Sequence, residues 1–442
     1  MSIFGKQGYI RSLTRRRRRK FAEIVRLTKS VWLARINRLG LGATMVSVTG
    51  SSCKTTTSSL LAHILSAERE VALGAIGNSL LDISQTLRRM SGEEDFAVVE
   101  TAAFVPGDIA RKARLVRPHV AIVTLVSLEH YASFRTLDAI AEEKADLVRH
   151  LKPGGLAVLN ADDPRVSAMR DMTKARCVTF GRNEGADYRV VGVAYDVPGS
   201  LTLDVEFPGG KRRLTSLLNG SHFWLPVAAA FAAAVELGIR PETAANRIAG
   251  FEPVFNRMSV MRGEGKPTFL LDAAKAPLAS LDLAIEAIRS ARSPYKRIII
   301  GFISDFSHSS RRAYDFAYRL ASDAADEVIF VGPNAHRARV PEEHVAAGRV
   351  FRFDDAKAVL DHIRATARPE EVILVKSSSS MHLERIGLAL HDMVDCWEQH
   401  CGYSIDCKSC GMYRYPFHEH AALRRRNMPA RKTARMATHV HV

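Results

Sequence analysis

Only six of the 442 residues are cysteine, three are tryptophan and 7% are aromatic. So few thiols in so long a chain exclude a disulfide-built fold. No stretch reaches the ~18 consecutive apolar residues of a membrane span. A secretory apolar core is also missing, because the basic run Arg15–Lys20 gives way to Phe21-Ala-Glu-Ile-Val-Arg, charged too soon. The chain is therefore expected in the cytoplasm. No short-period repeat is visible, which excludes solenoids and propellers. With 47% hydrophobic and 25% charged residues, the composition is that of a soluble globular protein of several domains.

The formal charge of +16 sits at the two ends. Residues 1–45 carry 12 Lys/Arg against Glu23, a net +11, and residues 411–442 carry 7 against Glu419, a net +6. The 365 residues between them balance at 44 basic and 45 acidic groups. The ends can thus meet an anionic surface, while the charge is silent about the body. Drawn as a helix, residues 9–40 gather Phe21, Ile24, Val25, Trp32 and Ile36 near one face. Such a helix could lie on an anionic membrane, placing the protein peripherally at its inner face, or be an arm that is disordered or packs on the next domain. Nucleic acid is an unlikely partner, since basic tails come here without a recognition module.

From Ala43 the pattern alternates between strand and helix. Thr44–Thr49, Phe96–Glu100, Val120–Val126 and Leu156–Asn160 read as buried strands, with helices at Thr55–Leu65 and Leu137–Leu151. This predicts an α/β fold with a mainly parallel sheet. Tyr188–Tyr195 and Ser200–Phe207 read as antiparallel strands, followed by an apolar helix at Pro226–Leu237. A second α/β series has strands at Thr268–Asp272, Arg297–Phe302, Glu327–Val331 and Glu371–Val375. Two nucleotide-fold-like units imply a cleft between them. The expected divisions are a basic segment 1–43, a central domain 44–258, a C-terminal Rossmann-like domain 259–394 and a Cys/His-rich basic tail 395–442.

The strongest local signal is Val48-Thr-Gly-Ser-Ser-Cys-Lys-Thr-Thr-Thr57 between a strand and a helix. Backbone N–H groups from Gly50, Ser51, Ser52 and Thr56, together with the helix N-terminus, suit phosphate. Lys54 suits the β/γ oxygens, and Thr55 suits Mg²⁺. Cys53 departs from that pattern, because glycine usually precedes the lysine so that the backbone can adopt a conformation disfavoured with a side chain. Glu100 and His130 follow further predicted strands, at the edge where open α/β sheets bind ligands, and suit a second divalent ion. Singly, each is more often a cap or a satisfied polar group.

Thr49–Thr57, Val99–Ile109, Val120–His130, Glu143-Lys-Ala145 and Leu159–Pro164 resemble, in order, the central domain of the Mur ligases. Within that family Pro106-Gly-Asp-Ile, Phe251-Glu-Pro-Val and Val375–Arg385 resemble the branch that adds D-alanyl-D-alanine to a UDP-N-acetylmuramoyl-tripeptide. The likeness covers about residues 44–390. It implies a P-loop ATPase domain, a C-terminal Rossmann-like domain and an ATP-dependent ligase that joins a carboxylate to an amine through an acyl phosphate. The resemblance assigns Thr55 and Glu100 to one Mg²⁺ and His130 to a second, with Lys144 carbamylated and helping to hold magnesium. Lys54, His130 and Lys144 would be catalytic. Asn160 and Asp162 match a further motif, Arg257 and Asp272 match positions that hold ATP, and Lys376 and Ser378 match the substrate end.

Phe223 stands where the family has an asparagine, the segment after Asp272 has drifted through Lys275, and only 43 residues precede the ATPase domain. That is too few for a UDP-sugar domain. A small-molecule or lipid-linked acceptor, with an amino acid or dipeptide as amine, is the expected substrate pair. The alternative is a Mur-type pseudoenzyme that binds nucleotide weakly and recruits partners or membrane through its tails. Cys396-x₄-Cys401-x₅-Cys407-x₂-Cys410, near His400, His418 and His420, offers four thiolates to Zn²⁺. Residues 424–442 read as disordered.

Overall fold

The structure, a computed structural model, describes residues 3–75, 77–129, 133–403 and 405–425, with side chains from residue 21 onward. The chain forms two compact units, the first of residues 1–194, 201–217 and 222–251, the second of residues 195–200, 218–221 and 252–442.

In the first unit a long helix α1 (Ile3–Gly40) precedes β1 (Thr44–Thr49), α2 (Lys54–Leu65), β2 (Val71–Gly74), α3 (Leu80–Arg89), β3 (Phe96–Glu100), α4 (Asp108–Val116) and β4 (Val120–Val123). There follow α5 (Leu137–Arg149), β5 (Leu156–Asn160), α6 (Pro164–Ser167), β6 (Arg176–Gly181), β7 (Tyr188–Tyr195), β8 (Leu201–Phe207), β9 (Gly210–Ser216), α7 (Trp224–Glu236) and α8 (Pro241–Ala249). The strands form one sheet in the order β2-β3-β1-β4-β5-β6-β7-β8-β9. Strands β1 to β6 are parallel, and the apolar runs of β1, β3, β4 and β5 are buried on both faces. Met45, Ala97 and Val99 pack with Ile83 and Leu87 of α3 and with Leu115 and Val116 of α4. Parallel register sets Val48 opposite Glu100 and Thr49 opposite Val123, so β1, β3 and β4 end together on one edge. Open sheets of this kind bind ligands at that edge.

The expected strand Val120–Val126 stops at Val123 for a specific reason. Beyond it the backbone turns to the loop after β1, where Leu125 O accepts from Ser51 N–H at 2.8 Å, and to Asp163, whose carboxylate accepts from Val126 N–H at 2.6 Å. Strand β9, rich in Lys and Arg, lacks an apolar run. It is held by antiparallel pairing to β8, with Arg213 against Asp204.

Helix α1 packs on this unit through Ser30, Ala34 and Arg38, which are buried. Ser30 Oγ meets Ser84 Oγ at 2.7 Å, and Arg38 Nε donates to Val116 O at 2.9 Å. The face singled out in the sequence is the opposite one: Phe21, Ile24, Val25, Trp32, Ile36 and Leu39 are all exposed. At ~3.6 residues per turn these six fall within about 120° of one another.

The second unit begins with β10 (Ser259–Met261) and β11 (Thr268–Asp272), then α9 (Leu281–Ser290), β12 (Lys296–Ile300), α10 (Ser310–Ser322) and β13 (Glu327–Val331). It continues with α11 (Glu342–Ala346), β14 (Val350–Phe353), α12 (Ala356–Thr366), β15 (Val372–Lys376), α13 (Glu384–His391) and the single turn α14 (Cys407–Cys410). Its sheet runs β10-β11-β15-β12-β13-β14, parallel except for β10 against β11. Phe269, Leu271, Ile299, Ile329, Ile373 and Val375 form its core with α12 and α13. The pairing of β11 with β15 places Asp272 directly beside Lys376. Of residues 424–442, expected to be disordered, Arg424 and Arg425 are described. Arg424 lies over the Tyr403 ring at 3.8 Å, and residues 426–442 are outside the described residues.

Candidate active site

The turn between β1 and α2 is held by its backbone. Gly50 has φ 144°, and a Cβ there would fall 1.8 Å from Thr124 Oγ1, so glycine is required by both conformation and space. Thr124 Oγ1 donates to Ser52 O at 2.7 Å, and Ser51 Oγ donates to Ser127 O at 2.9 Å. Cys53 adopts φ 64° and ψ 0°, the left-handed conformation for which glycine is ordinarily used, and its thiol does not cap the N–H groups of α2. The turn thus keeps its geometry at a cost in backbone strain.

Four charged side chains gather behind the turn. Lys54 is buried, and its Nζ donates to Gly50 O at 2.5 Å and lies 3.7 Å from Glu129 Oε2. The other Glu129 oxygen accepts from Lys144 Nζ at 2.5 Å. Thr55 Oγ1 donates to Glu100 Oε2 at 2.6 Å, and Asn78 Nδ2 donates to Glu100 Oε1 at 2.9 Å. Two ammoniums and two carboxylates balance in a place with little water, as buried charges require. Burial lowers the Lys144 pKa to about 8. Glu129 opposes that shift and Lys54 reinforces it. Thr55 and Glu100 offer the hard oxygen donors that suit Mg²⁺. Thr56 is buried in the first turn of α2. The neighbour of Lys144 has a different task, since the Glu143 carboxylate accepts from Gly107 N–H at 2.6 Å and Ile109 N–H at 2.8 Å and thereby fixes the start of α4.

The first unit therefore brings together Lys54, Thr55, Glu100 and Lys144 from three separate segments. His130 lies outside the described residues. Sequence reading missed Glu129, although it immediately precedes His130, and also missed Asn78, which no periodicity marks. Asn160 Nδ2 donates to Thr124 O at 2.7 Å, and Asp162 accepts from the N–H groups of Arg182 and Asn183 at 2.8 and 2.9 Å, so this motif braces the sheet edge. Phe223 is buried against His222, with ring centroids 4.2 Å apart.

In the second unit Lys376 Nζ donates to Asp272 Oδ2 at 2.6 Å and to Lys275 O at 3.0 Å. The drifted segment thus still serves the site through its backbone: Ala274 N–H donates to Asn256 O at 3.2 Å, and Ala274 O accepts from Ser379 N–H at 3.3 Å. Ser378 precedes the short turn Ser379–Met381, and Arg257 is half-buried. Asn256, next to it, is buried with neither side-chain amide atom hydrogen-bonded, a polar group placed where a ligand could satisfy it.

Comparison with protein families matches residues 48–234 to the Mur ligase middle domain and residues 256–379 to the Mur ligase glutamate ligase domain. The chain belongs to the Mur ligase family. It is similar to the UDP-N-acetylmuramoyl-tripeptide–D-alanyl-D-alanine ligase of Mycobacterium tuberculosis, with 29% identity over 374 residues, 79% of this chain and 73% of the relative. The Escherichia coli ligase of the same name is 26% identical over 362 residues, 80% of this chain and 78% of its own. Among solved structures, MurF from Acinetobacter baumannii superposes with a TM-score of 0.73 at 23% identity, covering 82% of this chain and 80% of its own. MurF from Thermotoga maritima, solved with ADP, gives 0.71 at 24%, covering 81% and 82%. As a Mur ligase the chain is an ATP-dependent enzyme that forms amide bonds, and the pseudoenzyme alternative is not favoured. No helix among the described residues is long and apolar enough to cross a membrane.

Proposed function

We propose that this Mur ligase joins the carboxylate of a cell-wall precursor, or of a related peptide or polymer acceptor, to the amine of an amino acid or dipeptide. The acceptor carboxylate oxygen bonds to the γ-phosphorus as ADP leaves. The amine nitrogen then bonds to the acyl carbon, losing a proton as phosphate departs. Mg²⁺ would supply charge neutralisation for the phosphates. The observation that carries the reading is the convergence of Lys54, Thr55, Glu100, Glu129 and Lys144 at the common end of β1, β3 and β4.

Each residue has a physical task in this scheme. Gly50, Ser52 and Thr56 would present backbone N–H groups to phosphate, whereas the Ser51 N–H expected to join them is taken by Leu125 O, and Lys54 offsets the charge that otherwise repels an anionic carboxylate. Thr55 and Glu100 would hold one Mg²⁺, and His130 with Lys144 a second. The lowered pKa of Lys144 leaves a usable fraction of neutral amine, the form that reacts with carbon dioxide to give a carbamate oxygen ligand. Arg257 and Asp272 would contact ATP, and Lys376 and Ser378 the substrate. The exposed stripe Phe21 to Leu39 on the basic α1 supports peripheral binding to an anionic membrane, which would suit a lipid-linked acceptor.

The decisive assay supplies Mg²⁺-ATP with UDP-N-acetylmuramoyl-tripeptide and D-alanyl-D-alanine, and in parallel with pools of other carboxylate and amino-acid substrates. Phosphate should be released only when an acceptor and an amine are both present. Release with ATP alone at the same rate would contradict the ligation scheme.

A further inference from the structure

The Cys/His-rich segment is organised around one cavity of about 10 Å³, lined by Cys396, Cys401, Cys407 and Cys410 with His382 and Arg385 among the surrounding residues. That volume admits a single small particle. No disulfide joins these cysteines. The backbone builds two similar turns. Cys401 is followed by Gly402 at φ 77°, and Cys410 by Gly411 at φ 70°. A Cβ on either glycine would meet nothing within 4 Å, so left-handed backbone, not crowding, calls for glycine at both. Gly411 N–H donates to Cys407 O at 3.0 Å, and Cys407 and Cys410 share one face of α14 by their spacing of three. The N–H groups of Asp395 and Cys396 both donate to Tyr413 O, at 2.8 and 3.0 Å, which closes the segment before the first cysteine against the segment after the last.

The groups around the sulfurs are those that orient thiolates. Arg385 Nε donates to Cys407 Sγ at 3.0 Å, and Arg424 approaches Cys410 Sγ at 4.0 Å. His382 Nε2 lies 3.1 Å from Cys401 Sγ. Among the described residues the group of three ligand atoms within 4.8 Å of one another is that of His382, Glu384 and Cys407, all buried; the four sulfurs line the same cavity at wider spacing and would close in around a bound ion. Glu384 Oε1 is already occupied by Cys407 N–H at 2.8 Å, which makes it a support for the cysteine turn.

We propose that this cavity is a zinc site in which Zn²⁺ is held by the four thiolates of Cys396, Cys401, Cys407 and Cys410, with Arg385 and His382 positioning the sulfurs. Four soft sulfur ligands suit a closed tetrahedral structural site. Binding sends four thiol protons to solvent and leaves a net charge of −2, which the two neighbouring guanidiniums offset. Because α13 follows directly on the Lys376–Met381 segment, the metal would tie the tail to the strand end that carries Lys376 and Ser378.

The test is metal content of the full chain, purified under reducing conditions after equilibration with zinc, a readout independent of ligase activity. About one zinc per chain is expected. Cys396→Ser, Cys401→Ser, Cys407→Ser and Cys410→Ser should each weaken zinc binding at least ~tenfold when measured in competition with a chelator, whereas Cys177→Ser should leave it unchanged. Should a cysteine variant fail to fold, cobalt substituted into the unaltered protein reports directly, with tetrahedral visible bands and sulfur charge-transfer absorption expected. Zinc below about 0.1 per chain, or cobalt without those bands, overturns the proposal. So does loss of metal in His382→Gln with full retention in Cys396→Ser and Cys410→Ser, which would move the site to His382, Glu384 and Cys407.

Discussion

Replacing Cys53 by glycine isolates the strain stored in the phosphate turn. Cys53 sits at φ 64° and ψ 0°, where a side chain costs about 1–2 kcal/mol relative to a right-handed residue. Glycine removes that penalty but gives the unfolded chain more freedom, worth roughly 0.5–1 kcal/mol in the opposite direction. The expected balance is a stability change between about 0 and +1.5 kcal/mol in favour of Cys53→Gly. Cys53→Val, with a branched β-carbon in the same backbone, should instead lose about 1–2 kcal/mol relative to the cysteine. Urea unfolding of the three proteins, compared through their midpoints at equal slope, measures the series. The order Gly at or above Cys, and Cys above Val, is required. If Cys53→Gly loses more than about 1 kcal/mol, side-chain contacts of the thiol outweigh the backbone term and the strain argument fails.

Four further outcomes are expected. Lys54→Ala should keep the far-ultraviolet circular dichroism spectrum and lower ATP-dependent phosphate release by at least ~10²-fold, the scale of losing one charge-stabilising group. Lys144→Ala should also lose activity and regain part of it when short carboxylates are added, whereas no recovery would argue against a carbamate. Burial lowers Lys144 to about 8 from 10.5, so the cost of holding its charge in the folded state is fully present below pH 8 and disappears as the pH rises from 8 through 10.5. The folded state should gain up to roughly 3 kcal/mol from this residue over that window, and Lys144→Met should flatten the gain in urea midpoints. Sedimentation with anionic vesicles should carry down the full chain but not Trp32→Glu/Ile36→Glu, while equal sedimentation of both would remove the membrane role of α1.

The sheet strands were readable because buried parallel strands leave uninterrupted apolar runs: Thr44–Thr49, Phe96–Glu100, Leu156–Asn160, Thr268–Asp272 and Glu327–Val331 stand where the sequence placed them. Strands β2, β6, β10 and β14 were not placed, and neither was β9, whose Lys-Arg-Arg run is held by pairing with β8. Lys54, Thr55, Glu100 and Lys144 were legible through ordered motifs. Glu129 was not, because its significance comes from lying between two lysines that are 75 and 15 residues away in the chain. The outer apolar stripe of α1 was seen, but the inner contact was not. It rests on Ser30, Ala34 and Arg38, small or polar residues that leave little hydrophobic periodicity.

The most direct test of the nucleotide site is calorimetric titration of the full chain with a non-hydrolysable ATP analogue and Mg²⁺. Saturable one-to-one binding is expected for the unaltered protein, lost in Lys54→Ala and weakened at least tenfold in Glu100→Gln, about 1.4 kcal/mol. Binding of equal strength in all three proteins, or none in the unaltered one while it remains folded, would contradict the account.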